Sequence, residues 1–170
     1  AASNVLSGPI YDFEAGTITG YSSTPNVSVA GIEIFLGSSI AETIISDGNS
    51  NSYYGNGGDD YMVAENGGET MDGGVGGTDT IDLSRWNGTY GVNMATGASS
   101  WLGELFTNFE NLISGNGNDT ITGTAGANAI STAAGDDQID ADGGNDTVSG
   151  GAGNDSLLGA DGDDQLNGDD

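Results

Sequence analysis

The sequence predicts an all-β solenoid in which short strands stack coil upon coil. Three observations predict it. From Ser114 to Asn167 the chain divides without gaps into six units of nine residues. Glycine occupies the fourth position of every unit, Asp or Asn the sixth, and Ile, Val or Leu the eighth. A fixed period this short is typical of solenoids, in which each repeat supplies one element of a coil.

The three constant columns divide each unit into a turn and a strand. Glycine at the fourth position permits φ > 0 and close backbone approach, so the first six residues are predicted to form a tight turn. The last three residues are the shortest alternating strand, with the middle side chain pointing inward. The columns are Gly117, Gly126, Gly135, Gly144, Gly153 and Gly162 at position four; Asp119, Asn128, Asp137, Asp146, Asp155 and Asp164 at position six; and Ile121, Ile130, Ile139, Val148, Leu157 and Leu166 at position eight.

Two units are predicted to make one coil. One apolar residue in nine cannot build a core alone, so alternate strands are expected to enter opposite sheets and pool their side chains. Ile121, Ile139 and Leu157 would then line one inner face, and Ile130, Val148 and Leu166 the other. The same spacing stacks Asp119, Asp137 and Asp155 on one edge and Asn128, Asp146 and Asp164 on the other.

Stacked carboxylates need a cationic partner. Strands repeat at about 4.8 Å, and two unit charges near 5 Å repel by roughly 3 kcal/mol at an effective dielectric constant of about 20. The chain has 26 Asp and Glu residues, a single Arg85, no Lys and no His. A divalent cation with oxygen ligands would neutralise the edges, and glycine-rich turns expose the carbonyls that complete its shell. Without Cys or His this chemistry favours Ca²⁺ over Zn²⁺, and the flexible cage favours Ca²⁺ over Mg²⁺.

At these residues the block resembles the RTX family, whose haemolysin-type repeat reads G-G-x-G-x-D-x-U-x. The resemblance implies a parallel β-roll with several Ca²⁺ ions, each held between two stacked turns by both position-six carboxylates and by turn carbonyls. Carried onto this chain, the pairs are Asp119 with Asp137, Asp137 with Asp155, Asn128 with Asp146, and Asp146 with Asp164. The implied carbonyl donors include Gly115, Gly117, Ala133, Gly135, Gly144, Gly151, Gly153 and Gly162. Asn128 departs from the pattern and should weaken its site, because an amide brings no charge.

Residues 1–36 are predicted to form an N-terminal strand and cap segment. Tyr11 and Ile18 belong to two short strands that flank a turn at Gly16. A loop at 24–26 and an apolar run at 27–36 follow.

Residues 37–82 are predicted to form a degenerate β-roll block. The block begins with the nine-residue unit GSSIAETII, and three more nine-residue units and one ten-residue unit follow it. The sixth position of these units is less regular than in the block that begins at Ser114. Asp60 and Asp79 supply aspartate there and are predicted metal ligands, whereas Glu42 and Glu69 are a methylene longer. The inward positions are Ile44, Tyr53, Met62, Met71 and Ile81.

Residues 83–113 interrupt the nines and hold both tryptophans, Trp86 and Trp101. Residues 103–121 can be laid over 27–44 at an offset of 77, and residues 92–97 echo 11–16 with a gap of four. The chain is therefore predicted to be two tandem copies of one module, each with a strand pair, an apolar run that caps the roll end, and a roll. Arg85 is expected to pair with Asp82 or Glu104.

Residues 114–170 are predicted to form the regular roll. Its last three residues would open a seventh unit, so the chain is expected to be a fragment of a larger protein. A net charge of −25 and 32 glycines favour disorder unless metal is bound. That dependence favours an extracellular location, and the resemblance implies a type I-secreted protein of a Gram-negative bacterium, with flanking domains and the type I secretion machinery as partners. The charge disfavours nucleic acid as a partner.

The composition disfavours an enzyme. Without His, Cys or Lys there is no Ser–His or Cys–His pair and no Schiff-base amine. The leading prediction is a non-catalytic Ca²⁺-dependent folding and structural module. The alternative is a glycan- or surface-binding module of an adhesin or surface-layer protein, with contacts through 84–106 or through Ca²⁺. Ice binding is disfavoured, because the turns carry no threonine ladder.

Overall fold

A computed structural model describes residues 10–12, 17–19, 27–28, 34–65, 67–101 and 103–169. These residues form short strands and turns, wound into a solenoid of about seven coils. No helix occurs among these residues. The described residues therefore contain no helix that is long and apolar enough to cross a membrane. The predicted all-β parallel solenoid is confirmed. The predicted loop at 24–26 lies outside the described residues.

Two sheets form the walls of the solenoid. The first contains, in spatial order, β19 (Gln165–Asn167), β17 (Thr147–Ser149), β15 (Ala129–Ser131), β13 (Asn111–Ile113), β9 (Thr80–Asp82), β7 (Tyr61–Val63), β5 (Thr43–Ile45), β1 (Ile10–Asp12), β2 (Thr17–Thr19) and β3 (Val27–Ser28). The second contains β18 (Ser156–Leu158), β16 (Gln138–Asp142), β14 (Thr120–Thr124), β10 (Gly91–Asn93), β11 (Ala98–Ser99), β12 (Leu105–Thr107), β8 (Thr70–Asp72), β6 (Ser52–Tyr54) and β4 (Ile34–Leu36).

The register of the parallel strands confirms that two units make one coil. In the regular roll Ile121 pairs with Ile139 and Ile130 with Val148, each eighteen residues on. In the degenerate roll Tyr61 pairs with Thr80, nineteen residues on, because the ten-residue unit inserts one residue. Consecutive units therefore enter opposite sheets throughout.

The core is a column of inward side chains between the two sheets. Its fully buried members come from the middle position of successive strands: Ile44, Tyr53, Met62, Met71, Ile81, Leu112, Ile121, Ile130, Ile139 and Val148. Phe106 and Phe109 from the interruption join the same cluster. The interior is thus continuous through both rolls.

The interruption at 83–113 adds strands to the solenoid without ending it. Strands β10, β11 and β12 form an antiparallel meander, in which β10 pairs with β14 of the second roll and β12 with β8 of the first. Strand β13 lies between β9 and β15 in the other sheet. Both sheets therefore run without a break from the first roll into the second.

The first three strands of the chain pair in the same pattern as the strands of the meander. Strands β1, β2 and β3 repeat the meander, and β1 pairs in parallel with β5 as β10 does with β14. Thr17 pairs with Ser28 as Ala98 pairs with Leu105, which places Ser28 and Leu105 at the predicted offset of 77. Strands β1–β3 and β10–β12 therefore share one pairing topology.

Candidate metal centre

Two columns of mainly acidic residues follow the edges of the solenoid, each residue directly before a strand. Beside the first sheet the column is Glu42, Asp60, Asp79, Glu110, Asn128, Asp146 and Asp164. Beside the second sheet it is Asn51, Glu69 and Glu104, then Asp119, Asp137 and Asp155 after the meander. Every predicted acidic site residue lies in one of these columns.

Backbone hydrogen bonds fix the carboxylates of each column. The N–H of Asp119 donates to Oδ1 of Asp137 at 2.7 Å, and the N–H of Asp137 donates to Oδ1 of Asp155 at 2.9 Å. On the other edge, the N–H of Asp146 donates to Oδ1 of Asp164 at 2.9 Å. Oδ1 of each acceptor aspartate therefore binds the backbone N–H of the preceding coil, and Oδ2 of the same carboxylate is held at the turn.

The same ladder continues through the degenerate roll. The N–H of Glu42 donates to Oδ1 of Asp60 at 2.7 Å, and that of Asp60 donates to Oδ1 of Asp79 at 2.8 Å. At the junction, the N–H of Asp79 donates to Oε2 of Glu110 at 2.8 Å. The predicted ligands Asp60 and Asp79 are therefore built into their column as the regular aspartates are.

The second oxygens of several column residues are buried without a hydrogen-bond partner in the structure. They are Oδ2 of Asp60, Asp137, Asp146 and Asp155, and Oε2 of Glu69. A buried anionic oxygen without a partner is strongly unfavourable. With one Arg and no Lys or His in the chain, a bound cation is the neutralising partner that fits these oxygens.

Glycine at the first position of several units makes room for the carboxylate of the same unit. A Cβ on Gly150 would lie 2.5 Å from Oδ2 of Asp155, and a Cβ on Gly73 would lie 2.8 Å from Oδ2 of Asp79. Such distances are too short for any side chain, so these turns keep a small oxygen-lined recess. A hard cation of modest size matches a recess of this kind.

The remaining ligands would have to be backbone carbonyls. In the described part of the chain no three acidic side chains form a metal-binding group. The residues predicted to give carbonyls, Gly115, Gly117, Ala133, Gly135, Gly144, Gly151, Gly153 and Gly162, all lie in the turns before strands. Gly135 and Gly153 have φ of 150° and 148°, a conformation that favours glycine. The donor set is therefore all oxygen, as Ca²⁺ requires.

Asn128 and Asp119 differ from their neighbours. Oδ1 of Asn128 accepts the N–H of Thr124 at 2.7 Å, and its Nδ2 donates to the carbonyl of Glu110 at 2.8 Å. The amide is thus satisfied by the protein itself. Oδ2 of Asp119 accepts the hydroxyl of Ser114 at 2.5 Å, so it too has a protein partner.

Two acids that sequence reasoning did not assign to the site complete the columns. Glu110 lies between Asp79 and Asn128, and Glu104 follows Glu69. The signal for Glu110 was present, because it precedes Asn128 by eighteen residues. Glu104 gave no such signal, because the meander separates it from the next column member.

Burial makes the metal-free carboxylates unusually basic. Desolvation raises the pKa of Asp60, Asp79 and Asp119 from 3.8 to about 6, and the pKa of Glu69 and Glu104 from 4.5 to about 7. The folded state then binds protons more tightly than the unfolded state. Stability of the metal-free fold therefore falls as the pH rises from about 4 through these values, and it is higher at acid pH. A bound dication would remove that penalty at neutral pH.

The aromatic residues of the interruption mostly join the core. Tyr90 and Phe106 are buried, and the phenol of Tyr90 hydrogen-bonds to Oε2 of Glu104. Trp86 and Trp101 meet edge to face with ring centroids 4.3 Å apart, and Trp101 remains 43% exposed.

Arg85 forms an ion pair with Glu65, and in the described part of the chain it forms none with Asp82 or Glu104, so that expectation was wrong. Glu65 lies one coil earlier, where the stacking of the coils brings it beside Arg85. Arg85, Glu65 and both tryptophans line a cleft with Tyr90 and Glu104.

A family model matches the regular roll. The model for the RTX calcium-binding nonapeptide repeat, which spans four copies of the repeat, matches residues 113–148 and 140–170. Together these cover 58 of the 170 residues. No curated protein matches the chain. The matched segment holds both acid columns of the regular roll.

Proposed function

Residues 113–170 carry RTX calcium-binding repeats, and from that premise we propose that the chain is a calcium-dependent folding module of a secreted bacterial protein, with no catalytic role. The observation that carries the proposal is the set of buried carboxylate oxygens without partners on the two edges. They lie at the sixth position of units in both rolls. The module would therefore bind Ca²⁺ along much of its length.

Pairs of carboxylates from neighbouring coils would hold the ions. In the regular roll these are Asp119 with Asp137, Asp137 with Asp155, and Asp146 with Asp164, together with turn carbonyls. In the degenerate roll the pair would be Asp60 with Asp79, because both residues are aspartates and a ladder bond joins them. Bound Ca²⁺ would supply positive charge that the chain lacks, and its binding free energy would become folding free energy.

This coupling suits secretion. At a net charge of −25 the metal-free chain resists collapse, and calcium is scarce inside cells and abundant outside. The chain would leave the cytosol unfolded, through a type I exporter of a Gram-negative cell, and would fold on meeting external Ca²⁺. The folded roll would then support the flanking domains of its parent protein.

Circular dichroism during calcium titration tests the proposal. We expect a coil spectrum in chelator and a β spectrum in Ca²⁺, with the change reversed by chelator. Mg²⁺ at the same concentration is the control, because it dehydrates reluctantly and suits a more rigid site. A chain equally ordered in chelator and in Ca²⁺ would contradict it.

One observation supports a second candidate, a glycan-binding module. Trp101 keeps an exposed ring at the cleft that also holds Arg85, Glu65 and Glu104, and exposed indole rings stack on sugars. Tryptophan fluorescence during titration with glycans tests it, with Trp101→Ala as the variant that should abolish any response. A glycan array without hits, together with unchanged fluorescence, would rule against this candidate.

A further inference from the structure

The cleft in the interruption combines aromatic rings with acidic side chains. Trp86 and Trp101 meet at an interplanar angle of 78°, and Trp86 and Tyr90 meet at 69°. Glu65 and Glu104 line the same space, which has a volume of about 340 Å³ with its mouth. Since this volume lies at the small end of ligand-binding sites, the cleft suits a small ligand or a head group.

The aromatic rings present a face to a ligand at the mouth of the cleft. Because neighbouring rings are nearly perpendicular, they form a corner and not a stack. Trp101 is 43% exposed, whereas Tyr90 is buried, so the open ring surface belongs mainly to Trp101. The face of an indole ring attracts cations through its quadrupole more strongly than the face of a phenol or phenyl ring does.

The carboxylates favour a cation in the cleft. Arg85 is the one basic residue of the chain, and it forms an ion pair with Glu65. The hydroxyls of Tyr90 and Ser99 donate to Oε2 of Glu104, so these contacts of Glu104 are with neutral donors. Two acids and one base therefore line the cleft, on a chain with a net charge of −25. Such a field attracts a cationic ligand and repels an anionic one.

Calcium matches this cleft poorly. It takes roughly six to eight oxygen ligands, and no three acidic side chains form a metal-binding group within the described ranges. The cleft wall carries indole rings where the turns of the columns offer backbone carbonyls. A weakly hydrated organic cation suits such a wall better than a metal ion does.

The hydrogen bonds already made by the acids favour a quaternary ammonium group. A primary ammonium brings three N–H donors that need acceptors. However, Oε1 of Glu65 already binds Arg85, and Oε2 of Glu104 already accepts two hydroxyls. A quaternary ammonium has no N–H, so it gains from the negative field and the ring face without needing these oxygens as acceptors.

We infer that the cleft binds a small organic cation of the choline class, with its quaternary ammonium against the exposed face of Trp101 and beside Glu104. This would be a binding function in addition to the calcium module. It rests on the proposed function only in that calcium keeps the chain folded for the measurement.

Three small ligands test the inference on the full chain in saturating Ca²⁺. Choline is compared with its uncharged analogue, in which a carbon atom replaces the quaternary nitrogen, and with ethanolamine, which carries a primary ammonium. Tryptophan fluorescence and isothermal titration calorimetry measure binding, and circular dichroism on the same samples measures folding. We expect choline to bind, and each of the other two to bind at least about tenfold more weakly.

Three variants locate the binding. Glu104→Gln keeps an acceptor for Tyr90 and Ser99 but loses the charge, and Trp101→Leu removes the exposed ring. We expect each to weaken choline binding by about threefold to thirtyfold. Asp142→Asn is the control, because it removes one exposed charge that does not line the cleft. Asn also tolerates the φ of 69° at this position, so this variant should bind choline as the natural chain does.

Several results would overturn the inference. They are no choline binding by the folded chain, equal binding of choline and its uncharged analogue, and equal losses in Glu104→Gln and Asp142→Asn. A response to neutral sugars without one to choline would overturn it in favour of the glycan candidate. Displacement of choline by added Ca²⁺ at constant ionic strength would assign the cleft to a metal instead. Failure of the proposed function would show separately, as a circular dichroism spectrum that does not respond to Ca²⁺.

Discussion

Both rolls of this chain stack acidic residues along their edges, but they differ in the size of the apolar side chains in their interiors. The first roll fills its interior with large side chains such as Tyr53 and Met62, whereas the second has one Ile, Val or Leu per unit. In the first roll, protein hydroxyls satisfy one oxygen of Glu42, from Ser38, and one of Glu69, from Ser46. Unpartnered carboxylate oxygens remain in both rolls, on Asp60 and Glu69 in the first and on Asp137, Asp146 and Asp155 in the second. The two rolls therefore share the buried-charge problem and differ mainly in the size of the apolar side chains in their interiors.

Calcium removal should separate the two rolls most clearly. We expect chelator to abolish protection from hydrogen exchange in 114–169 first, because little apolar surface remains there to oppose carboxylate repulsion. Residues 43–82 should keep more of their protection at intermediate calcium. Peptide-resolved hydrogen exchange during a calcium titration measures this. Simultaneous loss in both rolls would show that the larger core does not compensate.

The next effect is at Asp137, which touches two candidate sites. Asp137→Asn keeps an acceptor for the N–H of Asp119 but loses the charge, and we expect calcium affinity to fall roughly tenfold to a hundredfold, about 1.4–3 kcal/mol. Asp164→Asn is the control, because among the described residues Asp164 is paired with Asp146 alone and touches one candidate site. Isothermal titration calorimetry compares them. Equal affinities for both variants would contradict the stacked-pair arrangement.

Alanine substitution at two glycines of the regular roll should have different effects on the stability of the calcium-bound protein. Gly150→Ala places its Cβ 2.5 Å from Oδ2 of Asp155, and we expect it to destabilise the calcium-bound protein by about 1–3 kcal/mol. Gly126 is exposed, and a Cβ there meets nothing closer than 3.8 Å. Gly126→Ala should therefore be neutral or stabilise by about 0.4–1 kcal/mol. Denaturant unfolding in saturating Ca²⁺ measures both, and an unaffected Gly150→Ala would mean that no carboxylate occupies the recess.

The smallest effect is at Asn128, the irregular member of its column. Asn128→Asp adds a charge beside Asp146 and removes the donor to the carbonyl of Glu110. We expect a few-fold gain in calcium affinity together with a loss of stability in chelator, at roughly 1 kcal/mol. Calcium titration measures the change in affinity, and thermal unfolding in chelator measures the change in stability. A variant that binds calcium no better than the natural chain would place no ion between Asn128 and Asp146.

Much of this architecture could be predicted from the sequence because its period is fixed. The eighteen-residue register, the inward column of Ile121 and Ile130, and the stacked aspartates all follow from a repeat of nine. The place of Glu104 in its column could not be predicted because the meander changes the spacing between coils, whereas Glu110 precedes Asn128 by the regular eighteen residues and could have been found. The Arg85–Glu65 pair was missed for a related reason, since it depends on how neighbouring coils stack and not on separation along the chain. Likewise, the hydrogen bonds that Asn128 makes to Thr124 and Glu110 depend on where these two residues lie in space.

The most direct test of calcium binding at the two edges is the location of metal in crystals grown in saturating calcium. Anomalous scattering from calcium, or from a lanthanide that replaces it, would place ions on the two edges. We expect ions between Asp119 and Asp137, between Asp137 and Asp155, and between Asp146 and Asp164. Edges without metal in such crystals, with the carboxylates still stacked, would contradict the claim that dications neutralise these columns.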